Sequence, residues 1–168
     1  MSAILPTLTV LIAVLFAALP WGLSADATFV LPLVMVMMVF CWRVIPGAIL
    51  PPAIAALLGI LLDVTSGGPL GFWALLALIA GSAGSRARGL FSQWDWSPLW
   101  LVWVGLACAL ACFGWLLASL YYLRWVDWWP IALGAIVSAV LFPLVWRALL
   151  KLYGRSCPRD AFTGRSVA

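Results

Sequence analysis

The chain of 168 residues contains no histidine and no glutamate, and charged residues make up only 8% of it. Histidine is the usual general base near neutral pH and the commonest nitrogen ligand of zinc. Its absence removes the Ser–His and Cys–His nucleophile pairs and every His-containing metal set. The five carboxylates are all aspartates, Asp26, Asp63, Asp95, Asp127 and Asp160, and no two are close in sequence. A metal-dependent transferase wants a short-spaced pair. Gly67-Gly68 is too short for a phosphate-cradling loop. These absences predict a protein that is not an enzyme and that needs neither metal nor cofactor. A soluble domain carries about 25% charged residues. A chain with 8% charged and 67% hydrophobic residues cannot cover a soluble surface. The expectation is an all-α integral membrane protein of one domain.

Cysteine is sparse too: Cys41, Cys108, Cys112 and Cys157. Cys108 and Cys112 are four apart and share a helix face. Without further ligands they read as buried, inert thiols, and no disulfide is expected.

What is present is a series of six apolar runs. The first, Ile4 to Pro20, is just long enough to span a bilayer and reads as an uncleaved first helix, since no basic residue precedes it. The second, Phe29 to Trp42, is short. A turn with Pro46 and Gly47 follows, and the third run extends to Leu62. Counted from Arg43, Asp63 lies about 30 Å along a helix; counted from Pro51 it lies only about 18 Å along. The third segment therefore either crosses fully or dips in and returns. The fourth run is Pro69 to Ser85, the fifth Leu99 to Tyr122, and the sixth Pro130 to Leu150. Small residues recur at three- and four-residue spacing on these runs: Ala55/Gly59; Ala74, Ala77, Gly81 and Gly84; Gly105/Ala109; Gly114/Ala118; Gly134/Ser138. Such positions let helices approach closely in lipid. The stripe Cys108, Cys112, Trp115, Ser119 reads as a packing face. This predicts a six-helix transmembrane bundle over residues 1–153, its second and third segments short, and a disordered basic cytoplasmic tail over 154–168.

The basic residues orient the bundle. With the N-terminus inside, the inner segments hold Arg43, Arg86, Arg88, Arg147, Lys151, Arg155, Arg159 and Arg165, and the outer ones only Arg124. Cytoplasmic loops are enriched in Lys and Arg, so both termini are expected in the cytoplasm. Most of the formal charge of +4 lies near the C-terminus and marks a membrane face rather than a nucleic-acid surface. Asp26, Asp63 and Asp127 then face outward, with Arg124 and Asp127 a candidate ion pair. Tyr121, Tyr122, Trp125, Trp128 and Trp129 read as an interfacial aromatic belt.

The candidate functional residues are Asp63, Ser66, Gly67, Gly68, Pro69 and Gly71, between the third and fourth runs. A carboxylate at a helix C-terminus meets the negative end of the macrodipole and needs compensation. The expected donors are the backbone N–H groups of Ser66, Gly67 and Gly68, in a turn where Gly67-Gly68 supplies positive φ. Pro69 suits the first position of the next helix, with Ser66 or Gly68 as its cap. Asp63 is then a capping residue, or a capping residue that also touches a partner or ligand. In the first case an amide at 63 should serve nearly as well.

Gly59-Ile-Leu-Leu-Asp63-Val-Thr-Ser66-Gly67-Gly68-Pro69-Leu-Gly71, followed by Ala74-Leu75, resembles the central motif of MreD, the rod-shape-determining membrane protein family. That motif is roughly G-x-x-x-D-x-x-S-G-x-x-x-G-x-x-A-L. Leu31-Pro32 to Trp42, and Leu141-Phe-Pro143-Leu-Val-Trp146, also look similar to the family. The resemblance implies a multi-pass protein of the bacterial inner membrane. It implies a non-enzymatic scaffold that binds MreC and helps couple MreB to the RodA/PBP2 peptidoglycan synthase, so maintaining cell shape. It also implies a fold similar to the S components of energy-coupling-factor transporters. An S-component-like uptake module, with a lipid or small molecule in an outward cavity, is the second function class. The chain departs from the family in having no basic N-terminus and in placing Trp73 where a polar residue is often found.

Overall fold

A computed structural model of the chain describes residues 3–19, 30–89 and 96–156. Those residues form six helices and no strand: α1 (Ile4–Ala18), α2 (Val30–Val44), α3 (Pro52–Ser66), α4 (Phe72–Ala87), α5 (Trp96–Tyr122) and α6 (Trp129–Ser156). The all-helical expectation holds, and each apolar run became one helix. Residues 45–51 are not helical, so α3 starts at Pro52 and the shorter of the two lengths applies. At 1.5 Å per residue, α1 to α4 are about 22–24 Å long and α5 and α6 about 40 Å. Among the described residues, only Ser97–Tyr122 and Trp129–Gly154 are by length and composition long and apolar enough to cross a membrane. α6 continues past the expected boundary at 153, and the tail from 157, with Cys157, lies outside the described residues.

α2 is the centre. Its residues Leu33, Met35, Val36, Met37, Val39, Phe40, Cys41, Trp42 and Val44 are all buried, which covers every side of the helix. A helix apolar all round belongs inside a bundle. It packs against α1, α4 and α6; α3 pairs with α4 and α1, and α5 with α6 and α4. The Trp42 indole donates to Thr9 Oγ1 at 2.8 Å, tying the end of α2 to the start of α1. Phe40, Trp103, Phe142 and Trp146 form the aromatic heart of the core, with the Trp103 and Phe142 rings stacked at 6.2 Å.

Small residues set two of the helix contacts. Gly84 lies against the Phe40 carbonyl of α2, 2.6 Å from where a Cβ would stand, and a Cβ at Gly59 would overlap the backbone of Ala74. Gly81 is roomier, with Val39 Cγ1 at 3.4 Å. Gly114 meets Phe72, and Gly134 and Ser138 are buried. Two expectations fail on α5. Gly105 and Ala109 are exposed, and so are Cys108 and Cys112, which are free but not buried thiols. The inward face of α5 is instead Trp103, Ala107, Leu110, Gly114 and Ala118. α5 has neighbours on one side only, so the other stripe has nothing to pack on.

Pro143 stands inside α6. Proline has no N–H to give to the carbonyl four residues back, which here belongs to Ala139. The Trp100 indole on α5 donates to that carbonyl at 3.0 Å. One helix thus repairs the backbone vacancy of its neighbour.

The exposed faces of α1, α3 and α6 are apolar. On α1 they are Ile4, Leu8, Ile12, Leu15 and Phe16; on α3 Leu57, Ile60, Leu61 and Val64; on α6 Ile136, Val140 and Leu144.

Candidate functional site at the turn between the third and fourth helices

α3 runs one turn further than Leu62, so Asp63 sits inside its last turn. Thr65 Oγ1 donates to the carbonyls of Leu61 and Leu62 at 3.0 Å, and Ser66 Oγ donates to that of Asp63 at 3.3 Å. The Ser66 bond meets a carbonyl that the helix end leaves open, while the Thr65 bonds are the back-bonds of a helical threonine. Gly67 then takes φ 67°, the left-handed stop common after helices. Gly71 takes φ 92° immediately before α4, so the turn bends the chain back by two left-handed glycines.

The side chain of Asp63 is fully buried. Its Oδ2 accepts from the Gly71 N–H at 2.9 Å and its Oδ1 from the Trp73 N–H at 2.8 Å. The expected donors, Ser66 to Gly68, are therefore not the ones used. Nor does Pro69 open the next helix or Ser66 or Gly68 cap it. Gly71 is the N-cap residue and, lacking a side chain, makes no capping bond itself. Asp63 caps α4 from the end of α3. Its charge thereby meets the positive end of the α4 macrodipole, which offsets the unfavourable end of its own helix.

This latch needs the two helices close together, and Gly59 lets Ala74 approach. Trp73 supplies a backbone donor while its ring is buried, so a polar side chain at 73 has no part in the latch. With each oxygen bonded once to backbone and no exposed surface, Asp63 presents nothing to the outside of the bundle. Any contact made by this turn is made by its exposed residues, Ser66, Gly67 and Leu70. Pro69, Leu70, Gly71 and Phe72 line one side of an apolar cleft of about 400 Å³ whose other wall is Leu117, Leu120 and Tyr121 of α5.

Arg124 and Asp127 lie at the same end of the bundle, in the connection from α5 to α6. Both are exposed and no ion pair joins them. An exposed pair is worth only about 0–1 kcal/mol, too little to hold two mobile side chains together. Tyr121, Tyr122, Trp125, Trp128 and Trp129 are exposed around them. The Trp115 indole, donating to the Val126 carbonyl at 2.8 Å, fastens this connection to α5.

At the opposite end, sequence reasoning missed a brace. Arg43 donates from Nε to the Gly81 carbonyl at 3.3 Å and from Nη1 to that of Leu50 at 3.1 Å. Arg88 donates to the Arg43 carbonyl at 3.0 Å. The signal was there: Arg43 and Arg88 each follow an apolar run, but charge counting assigned them only to a membrane side.

Compared with family models, curated proteins and solved structures, the chain matches none.

Proposed function

We propose that the chain is a non-enzymatic membrane scaffold of the MreD kind. It crosses the bacterial inner membrane as a six-segment bundle with both termini in the cytoplasm. It binds MreC and helps couple MreB to the RodA/PBP2 synthase during side-wall growth.

The observation that carries this reading is the physical unity of the motif. Gly59 admits the Ala74 backbone; Asp63 holds the N–H groups of Gly71 and Trp73; Ser66 bonds the Asp63 carbonyl; Gly67 and Gly71 take the positive φ angles. Seven residues over sixteen positions, Gly59 to Ala74, thus make one rigid corner. The corner seals its charge inside and presents Ser66, Gly67 and Leu70, which suits a docking point better than a reaction centre. The apolar outer faces support a lipid surround, and the short α1 to α4 fit a bundle whose middle is thinner than α5 and α6 are long.

The test is complementation of a strain depleted of its own MreD, with MreC copurification in parallel. Leu70→Arg changes an exposed residue of the corner and leaves the latch alone. Normal membrane levels, loss of MreC and rounded cells are expected. Rod-shaped cells that retain MreC with both Leu70→Arg and Asp63→Ala, at normal levels, would remove the reading.

A further inference from the structure

A cleft of about 410 Å³ opens between α2, the start of α3 and the C-terminal half of α4. Its floor is apolar, made by Val39, Ala55 and Ala77, while Arg43, Arg86 and Ser82 line it as well. The volume falls in the range of small-molecule sites, about 300–1,000 Å³. Small side chains on α3 and α4 create the space.

Among the described residues the charges around it are unbalanced. Arg43, Arg86 and Arg88 cluster at this end, and Asp63 and Asp127, the only carboxylates among the described residues, lie at the other. Arg43 is half-buried and uses one Nε and one Nη1 hydrogen on backbone carbonyls. A guanidinium has five N–H donors, so three have no protein acceptor among the described residues. The two bonds it makes fix its plane without neutralising it. Arg86 has no hydrogen bond or ion pair to another described residue. Guanidinium groups match phosphate oxygens in geometry and charge, and basic pockets between helices near the cytoplasmic face suit anionic headgroups.

We propose that this cleft binds one anionic phospholipid. Its phosphate lies between Arg43 and Arg86, and the upper part of one acyl chain lies over Val39, Ala55 and Ala77. The lipid then supplies a counter-ion to Arg43 and Arg86 and adds to the Arg43 bonds that tie α2 to α4 and to the stretch before α3. The proposal rests on the membrane part of the reading above, not on the choice of protein partner.

The experiment uses the full chain purified in a neutral detergent. Native mass spectrometry and thermal unfolding are read after adding phosphatidylglycerol, phosphatidylcholine or inorganic phosphate. Phosphatidylglycerol should add one retained lipid per chain and raise the melting temperature; phosphatidylcholine and phosphate should do neither. Arg86→Gln, which breaks no bond to a described residue, should weaken phosphatidylglycerol binding several-fold, and Arg43→Gln/Arg86→Gln at least about tenfold. If the double variant fails to fold, Arg86→Gln and Ala77→Leu, which fills the floor, decide instead. Arg147→Gln/Lys151→Gln removes equal charge from exposed positions of α6 and should leave binding unchanged. Equal binding of phosphatidylcholine, stabilisation by phosphate alone, unaltered binding in the cleft variants, or an equal loss in the α6 control would each overturn the proposal. Carbonate extraction of the native membrane separates the two failures. A chain that stays in the membrane yet shows no headgroup preference loses only the lipid site, whereas one that is released loses the membrane reading.

Discussion

Asp63 accepts with both of its carboxylate oxygens, and this decides what can replace it. Asparagine offers one oxygen; its NH2 would face a backbone N–H, donor against donor. The amide is therefore a poor substitute here even though the role is capping, contrary to the reading of the sequence alone. Hydrogen bonds to charged groups contribute about 1.5–3 kcal/mol, and a buried donor left unpaired costs about 1–3 kcal/mol. Asp63→Ala should lower stability by about 3 kcal/mol or more, and Asp63→Asn by about half of that or more. Asp63→Glu adds a methylene to a fully buried site and should cost about 1–3 kcal/mol. Thermal unfolding in detergent should rank the chains native, then Asn and Glu, then Ala. An Asn variant as stable as the native chain would show that one of the two bonds has no weight. The sequence identified Asp63 and the need for a backbone donor, because a lone acid among apolar residues must be satisfied. It could not choose the donors, because that depends on where α3 stops, and the last turn of α3 carries no strong stop before Gly67.

At the scale of the helix, the tight approaches and the roomy ones make different demands. Gly84 and Gly59 meet backbone, which cannot yield, while Gly81 meets the side chain of Val39 at ordinary van der Waals distance and Gly105 meets nothing. Gly59→Ala and Gly84→Ala should therefore destabilise by about 1–3 kcal/mol as helices are forced apart. Gly81→Ala should be close to neutral. Gly105→Ala should stabilise slightly, since alanine is favoured over glycine by about 1 kcal/mol inside a helix. Melting temperatures of the four variants check the order. From sequence alone Gly81 and Gly84 both read as interface positions, with no way to see that Gly84 is the closer of the two to α2. Spacing finds a face; only the crossing point of α2 and α4 finds the residue on it. The cysteine stripe of α5 misled for the same reason, since its spacing is that of the true inward face one position away.

The bond from Trp100 to the carbonyl freed by Pro143 is a coupling between helices that sequence does not reveal, because the two residues lie far apart in the chain. Trp100→Phe should cost about 1–2 kcal/mol through an unpaired Ala139 carbonyl. In a Pro143→Ala background that carbonyl regains an intrahelical donor, so the same change should cost clearly less. A double-mutant cycle in detergent measures the difference. Strictly additive effects would mean that the indole bond contributes nothing.

For the whole molecule, the contacts carry the ends of the helices into two groups. Trp42 meets Thr9, Arg43 meets Gly81 and Leu50, and Trp42 lies 6.1 Å from the Tyr153 ring, so Arg43, Arg86, Arg88 and Lys151 collect at one end. Asp63, Arg124, Asp127 and the exposed aromatics collect at the other. The basic asymmetry counted along the chain is thus an asymmetry in space as well. A cluster of arginines is expensive to carry across a bilayer and is retained on the cytoplasmic side, whereas the tryptophans and tyrosines suit the opposite interface. The expected topology places Asp127 outside and Lys151 inside. A version lacking the four native cysteines should be labelled by a membrane-impermeant maleimide in intact cells when it carries Asp127→Cys. With Lys151→Cys it should be labelled only after the membrane is opened. Both residues are exposed, so a failure to label is not burial in the bundle. Labelling of Lys151→Cys in intact cells, at the rate seen in opened ones, would invert the molecule. The rigid corner would then face the cytoplasm, out of reach of any partner on the cell-wall side.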